Sequence, residues 1–167
     1  MENLYRPLWS SAILDELQAC EIDKHTTKYG LSEADAETRA AYLIEQMRTH
    51  FDDAEVQNWE PYEGTFGLPD PYDEHVIAAA VAGNAGAVVT NNLKDFPADK
   101  VPRGVEVLLP SEFAANTVAV SPQRALKAVA ELTQRCKNPP ISVDEFLEML
   151  RDKYGMDEAV DLISEVR

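Results

Sequence analysis

Apolar residues recur at helical spacing in the first part of the chain. Ser10 and Ser11 offer an N-cap, and the apolar positions of residues 12–17 then repeat with a helical period. Ser32 leads into a second amphipathic run that extends to about residue 51. The apolar and aromatic residues at 4–9 and the segment 53–59 each predict a short strand.

The middle of the chain alternates helical and extended patterns. Residues 60–71 contain three prolines and two glycines, which predicts a loop. A strongly apolar helix is predicted over 74–84, closed by Gly86. The apolar runs at 87–90 and 105–109 predict two buried strands. This alternation is typical of an α/β fold with a parallel sheet.

The last part of the chain, residues 119–167, predicts three short helices. Ser121 caps the first of them, and Ser142 begins the second with the capping-box pattern SVDE. Gly155 separates the second from the third. We therefore expect an α/β domain at 1–118 and a helical extension at 119–167.

Charge and composition exclude several functional classes. The 167 residues hold 15 basic and 30 acidic side chains, a net charge of -15, which disfavours non-specific binding to nucleic acid or to anionic membranes. Cys20 and Cys136 show neither zinc-site nor disulfide spacing. No apolar run approaches the roughly 20 residues that span a bilayer. We expect a cytoplasmic protein with no membrane partner.

Several oxygen-bearing side chains are predicted to meet at one edge of the sheet. Asp73 begins a helix, Thr90 and Asn92 follow a strand, and Asp95 comes one short turn later. Glu16 shares a helix row with inward-facing apolar residues, so we expect its carboxylate to be partly buried. Such a convergence of oxygen ligands suits Mg²⁺ or Mn²⁺.

Each of these positions also has a simpler interpretation. Asp73 is equally compatible with an N-cap, and Glu16 with a solvated helix residue. Asn92 and Asp95 are common turn formers. His75 is expected on a helix surface.

Three segments together resemble the PIN domain. They are residues 4–17, residues 67–80 (GLPDPYDEHVIAAA) and residues 87–97 (AVVTNNLKDFP), and the resemblance extends over 4–113. The helical tail is similar to the C-terminal extension of one group of VapC-type toxins. The resemblance implies a flavodoxin-like, three-layer fold with a parallel sheet. It also implies a magnesium-dependent endoribonuclease that acts on RNA and is neutralised by a VapB-like antitoxin.

The resemblance assigns roles to individual residues. The family's helix glutamate falls on Glu16 and its mid-chain aspartate on Asp73. A Thr-x-Asp pattern of the family reads Thr90-Asn91-Asn92 here, so an amide replaces one charge and Asp95 is the candidate to supply it. Glu16, Asp73 and Asp95 are then the implied metal ligands, with Asn92 as a further catalytic position.

The resemblance also predicts an incomplete N-terminus. PIN domains open with an apolar strand that ends in an aspartate, whereas this chain begins at what matches the second strand. A shortened start, a sheet that closes without the strand, and a dimer that repairs the sheet edge are three open explanations.

Two functions therefore remain open. The first is metal-dependent hydrolysis of RNA phosphodiesters, with Thr90 and Lys94 contacting substrate. The alternative is a catalytically inactive PIN-like module that binds an antitoxin or self-associates as a homodimer. A general hydrolase or nucleotide-binding domain is disfavoured because the chain has no GxSxG, GxGxxG or Walker motif.

Overall fold

The computed structural model describes residues 4–167. Within them, the regular elements are α1 (Ser11–Thr27), α2 (Glu33–His50), α3 (Glu74–Ala82), β1 (Ala87–Val89), β2 (Glu106–Leu108), α4 (Pro110–Val120), α5 (Pro122–Arg135), α6 (Val143–Tyr154) and α7 (Asp157–Ser164). Short 3-10 turns lie at Glu60–Tyr62, Pro71–Asp73 and Leu93–Asp95.

The first two helices begin where their caps predict. The Ser10 hydroxyl accepts a hydrogen bond from the backbone N–H of Ile13 at 3.2 Å and so begins α1. The Ser32 hydroxyl does the same for Asp35 at the start of α2. Both predicted helices are confirmed, and they enclose a cluster that includes the fully buried Leu14.

Strands are predicted at 4–9 and 53–59, but the structure has there one parallel bridge, between Trp9 and Glu55. The Trp9 N–H donates to the Ala54 carbonyl at 3.0 Å, and the Val56 N–H donates to the Trp9 carbonyl at 2.8 Å. Pro7 has no N–H to extend this ladder, and Asn58 turns away with a φ of 59°. The prediction of two full strands in these segments is therefore wrong, although the bridge between them is parallel, as expected for a parallel sheet.

Helix α3 ends earlier than its sequence predicts. The N–H of Gly83 donates to the Ala79 carbonyl at 2.9 Å, and Asn84 follows with a left-handed φ of 52°. Gly83, and not Gly86, is thus the residue that closes the helix. Almost every face of α3 is covered, since Ile77 and Ala78 have no exposed surface.

The strands β1 and β2 pair in parallel. The Glu106 N–H donates to the Gly86 carbonyl at 2.9 Å, and the Thr90 N–H donates to the Leu108 carbonyl at 3.0 Å. Each strand has three residues, fewer than predicted. The prediction of an α/β fold with parallel strands is confirmed.

The described chain divides into two compact units. One contains residues 4–6, Val89–Leu93 and Leu108–Arg167, and the other contains Pro7–Val88 and Lys94–Val107. The proposed boundary between residues 118 and 119 stays a prediction.

The tail helices α5, α6 and α7 share an apolar cluster with α4. Its buried members include Val118 of α4, Leu147 and Ile163. The capping box of α6 is formed, because Ser142 Oγ accepts from the Glu145 N–H while the Glu145 carboxylate accepts from the Ser142 N–H. Three tail helices are thus confirmed, but Ser121 makes no side-chain cap. No helix of the described part of the chain is long and apolar enough to cross a membrane.

Candidate metal and RNA site

A buried carboxylate holds the loop that precedes the site. Glu74 is 3% exposed, and its two oxygens accept hydrogen bonds from the backbone N–H groups of Leu68 at 2.8 Å and Phe66 at 3.0 Å. Burial opposes ionisation, but the hydrogen bonds from the backbone outweigh it and keep the pKa of Glu74 below its ordinary value. Glu74 therefore ties the loop to the start of α3.

Asp73 lies at the junction between a 3-10 turn and α3. The Asp70 carboxylate accepts from the Tyr72 N–H at 2.9 Å and so sets the turn Pro71–Asp73. Asp73 occupies the N-cap position of α3, yet its side chain makes no capping hydrogen bond. Asp73 is thus the N-cap residue by position, but it does not contribute the hydrogen bond of a side-chain cap.

Other carboxylates surround Asp73. Burial raises the pKa of Asp73 above its ordinary value, and repulsion from Asp70, Asp95 and Glu16 raises it further, while His75 acts in the opposite direction. The structure thus brings the predicted side chains of Glu16 and Asp95 within electrostatic reach of Asp73. A carboxylate cluster of this kind favours a cation among its members.

The environment of Glu16 differs from its prediction. Its side chain is 61% exposed, so the predicted partial burial is wrong. Its carboxylate contacts a residue of α3 instead of lying in the core. There Glu16 Oε1 lies 3.2 Å from Nε2 of His75.

His75 is buried and not on a helix surface, as the sequence had suggested. It is 5% exposed, and its ring lies edge-on to Trp59 with a centroid distance of 6.3 Å. The surface prediction is wrong because α3 is covered on the side that carries His75 as well as on its apolar side.

The donor set suits a hard divalent cation by its chemistry, since it consists of carboxylate oxygens that repel one another. Its present geometry is open. Among residues 4–167 no group of three His, Cys, Asp or Glu side chains is close enough to hold an ion together. The three carboxylates fit a metal ion in charge and ligand type, and binding would require them to draw closer together.

Thr90 and Asn92 belong to the compact unit that contains Val89–Leu93. The Thr90 hydroxyl accepts a hydrogen bond from the Asn92 N–H at 3.0 Å, which fixes the turn after β1. Lys94 and Asp95 lie in the 3-10 turn Leu93–Asp95, where Lys94 is exposed and Asp95 is partly buried.

Sequence reasoning missed three residues near Asp73. His75 contacts Glu16, Asp70 adds a fourth carboxylate, and Tyr72 is 85% exposed. The clustering of Asp70, Tyr72, Asp73 and His75 within six residues was the available signal, because a 3-10 turn followed by a helix brings such positions together.

Comparison with known proteins places these residues in a family context. A family model described as PIN domain matches residues 1–94, more than half of the 167-residue chain. A second, described as VapC50 C-terminal domain, matches residues 110–165.

The chain is also similar to a protein of Mycobacterium tuberculosis (strain ATCC 25618 / H37Rv) that is provisionally named ribonuclease VapC50, with 29% identity over 82 residues. That match covers 48% of each protein, so the chain spans about half the length of this relative. No solved structure matches the chain significantly.

Proposed function

Because the chain belongs to the PIN domain family, we propose that it is an endoribonuclease of the VapC toxin type that hydrolyses RNA phosphodiesters with a divalent metal ion. The observation that carries the proposal is the group of carboxylates near Asp73, where burial and then repulsion from Asp70, Asp95 and Glu16 raise the pKa of Asp73. Carboxylates that lie close together repel one another, and a bound divalent cation relieves that repulsion. The similarity to a protein provisionally named as a ribonuclease supports the same reaction.

Glu16, Asp73 and Asp95 would hold the Mg²⁺ or Mn²⁺ ion. When bound, the ion lowers the pKa of a coordinated water and neutralises charge on the scissile phosphate. Asp73 is the central ligand because the other carboxylates act on it. Glu16 would supply a further ligand from α1, since its carboxylate acts on Asp73 and lies 3.2 Å from Nε2 of His75 in α3.

RNA must be bound locally because the chain carries a net charge of -15. The exposed ammonium group of Lys94 is placed next to Asp95 in sequence, where it would contact a substrate phosphate. We assign Thr90 to orienting a ligand or water and Asn92 to a catalytic amide position. A VapB-like antitoxin is the proposed protein partner, and the site is proposed to act in the cytoplasm.

Cleavage of a panel of single-stranded RNAs tests the proposal. Purified protein should cleave at least one RNA in the presence of Mg²⁺ or Mn²⁺ and should stop when a chelator is added. Asp73→Asn should abolish cleavage, whereas Asp99→Asn, a matched change at an exposed position, should not. Cleavage that survives both the chelator and Asp73→Asn would contradict the proposed site.

One observation favours a second candidate function. The described residues contain no preassembled group of three metal-binding side chains, and an inactive PIN-like module that binds an antitoxin or self-associates would need none. Calorimetric titration with Mn²⁺ separates the two functions. Saturable binding that Asp73→Asn weakens supports the nuclease, and its absence supports the binding module.

A further inference from the structure

The buried ring of His75 contacts an exposed carboxylate, that of Glu16. Its side chain is 7% exposed, whereas the Glu16 side chain that it contacts is 61% exposed. The contact joins His75 Nε2 to Glu16 Oε1 at 3.2 Å. The edge-on packing of the ring against Trp59 restricts its rotation, so the direction in which Nε2 points is set by the core.

The hydrogen-bonding pattern identifies which ring nitrogen carries the proton. A carboxylate accepts hydrogen bonds but does not donate them, so Nε2 must carry the hydrogen that points to Glu16. Nδ1 of His75 is buried and has no hydrogen-bond partner. A hydrogen on Nδ1 would be left unpaired away from water, which reinforces the assignment to Nε2.

We propose that His75 is a positioning residue that orients the Glu16 carboxylate for metal binding. The inference rests on the proposed function, because it concerns how one of the three proposed ligands is held. An exposed glutamate samples many rotamers, and ordering it when the ion arrives costs free energy. A hydrogen bond from a rigid, buried ring restricts those rotamers in advance, which is how outer-shell partners raise metal affinity.

A double-mutant cycle read by Mn²⁺ calorimetry tests this role. His75→Phe keeps a ring beside Trp59 but removes the donor, and it should weaken Mn²⁺ binding by about 10-fold or more. His75→Gln retains an N–H donor at similar reach and should recover most of the affinity. In a Glu16→Ala background, His75→Phe should change the affinity by less than about 2-fold, because its effect passes through Glu16.

A second readout needs no metal. The chain has three histidines, so ring ¹⁵N spectra are simple, and the signals that vanish in His75→Phe identify His75. Glu16→Ala should shift the Nε2 signal of His75 at constant neutral pH, whereas Glu37→Ala on exposed α2 should leave it in place. An unmoved Nε2 signal in Glu16→Ala would overturn the proposal.

The outcomes distinguish this inference from the function on which it rests. Equal losses of Mn²⁺ affinity from His75→Phe in both backgrounds, or no loss in either, would overturn the positioning role while leaving the metal site intact. Failure of the unaltered protein to bind Mn²⁺, or binding unaffected by Asp73→Asn, would overturn the proposed metal site and the positioning role together.

Discussion

Neutralising Glu74 is expected to loosen the loop that leads into the site. Glu74→Gln keeps the size of the side chain but replaces one carboxylate oxygen with an NH₂ group. Both oxygens of Glu74 accept backbone hydrogen bonds, from Leu68 at 2.8 Å and from Phe66 at 3.0 Å. The amide can accept only one of these, and its NH₂ then faces the other backbone N–H.

The cost follows from these two bonds. The bond that is kept loses its charge assistance, which lowers its contribution by about 1 kcal/mol. The other N–H is left without an acceptor in a site that is 3% exposed, which costs about 1–3 kcal/mol. We expect the free energy of unfolding to fall by about 2–4 kcal/mol, a large part of the roughly 5–15 kcal/mol typical of a folded domain.

Urea unfolding at several pH values measures this effect. Because the folded pKa of Glu74 lies below its ordinary value of 4.5, the carboxylate contributes stability above that pH and loses it as the pH falls through the folded pKa. The stability difference between Glu74→Gln and the unaltered chain should therefore be complete at pH 7 and narrow below about pH 4.5.

Glu63→Gln, at an exposed position of the same loop region, is the matched control and should change the stability by less than about 0.5 kcal/mol. The reasoning is refuted if Glu74→Gln is as stable as Glu63→Gln at pH 7. A stability difference that widens on acidification would refute the assigned sign of the pKa shift.

Asp73→Asn should raise the thermal midpoint at pH 7 without metal, by a stabilisation of about 0.5–2 kcal/mol, because a raised folded pKa means that the ionised group destabilises the fold above that pKa. That gain should disappear in scans at a pH below the unfolded pKa of the aspartate. Tyr72→Ala should weaken RNA binding by about 1–3 kcal/mol in a titration with catalysis blocked, and Tyr72→Phe should not, because an exposed ring beside Asp73 is suited to stacking on a base. Leu14→Ala should cost about 2–5 kcal/mol in urea unfolding, since Leu14 is 1% exposed and its removal leaves a cavity. Ser142→Ala should cost about 1 kcal/mol by loss of the capping box of α6, and an unchanged midpoint would show that the tail does not depend on this cap.

Local signals along the chain predicted the helices well. Ser10, Ser32 and Ser142 each begin a helix by accepting a hydrogen bond from a backbone N–H three residues later. Such caps act over a few residues, so they are visible in the sequence itself. The family resemblance likewise depended on local motifs, and it is confirmed over residues 1–94.

The strands were predicted less well because a strand depends on its partner. Apolar runs predicted the positions of β1 and β2, but hydrogen bonding between the two runs decided that each has three residues. The run around Trp9 forms one bridge, to Glu55. The length of a strand is thus set by residues distant in the sequence.

The sequence by itself determined the helices, their caps, the negative charge and the presence of Glu16, Asp73 and Asp95. Only the tertiary structure decided the surroundings of these residues: it exposed Glu16, buried His75, and set the carboxylates of Glu16 and Asp95 near that of Asp73. The physical reason is that a helical period identifies an apolar face but does not show which neighbouring element covers the polar faces. The contact of His75 with Glu16, and the repulsion of Asp73 by Glu16, arise between segments that are far apart in the chain, so they become defined only when α1 and α3 pack together.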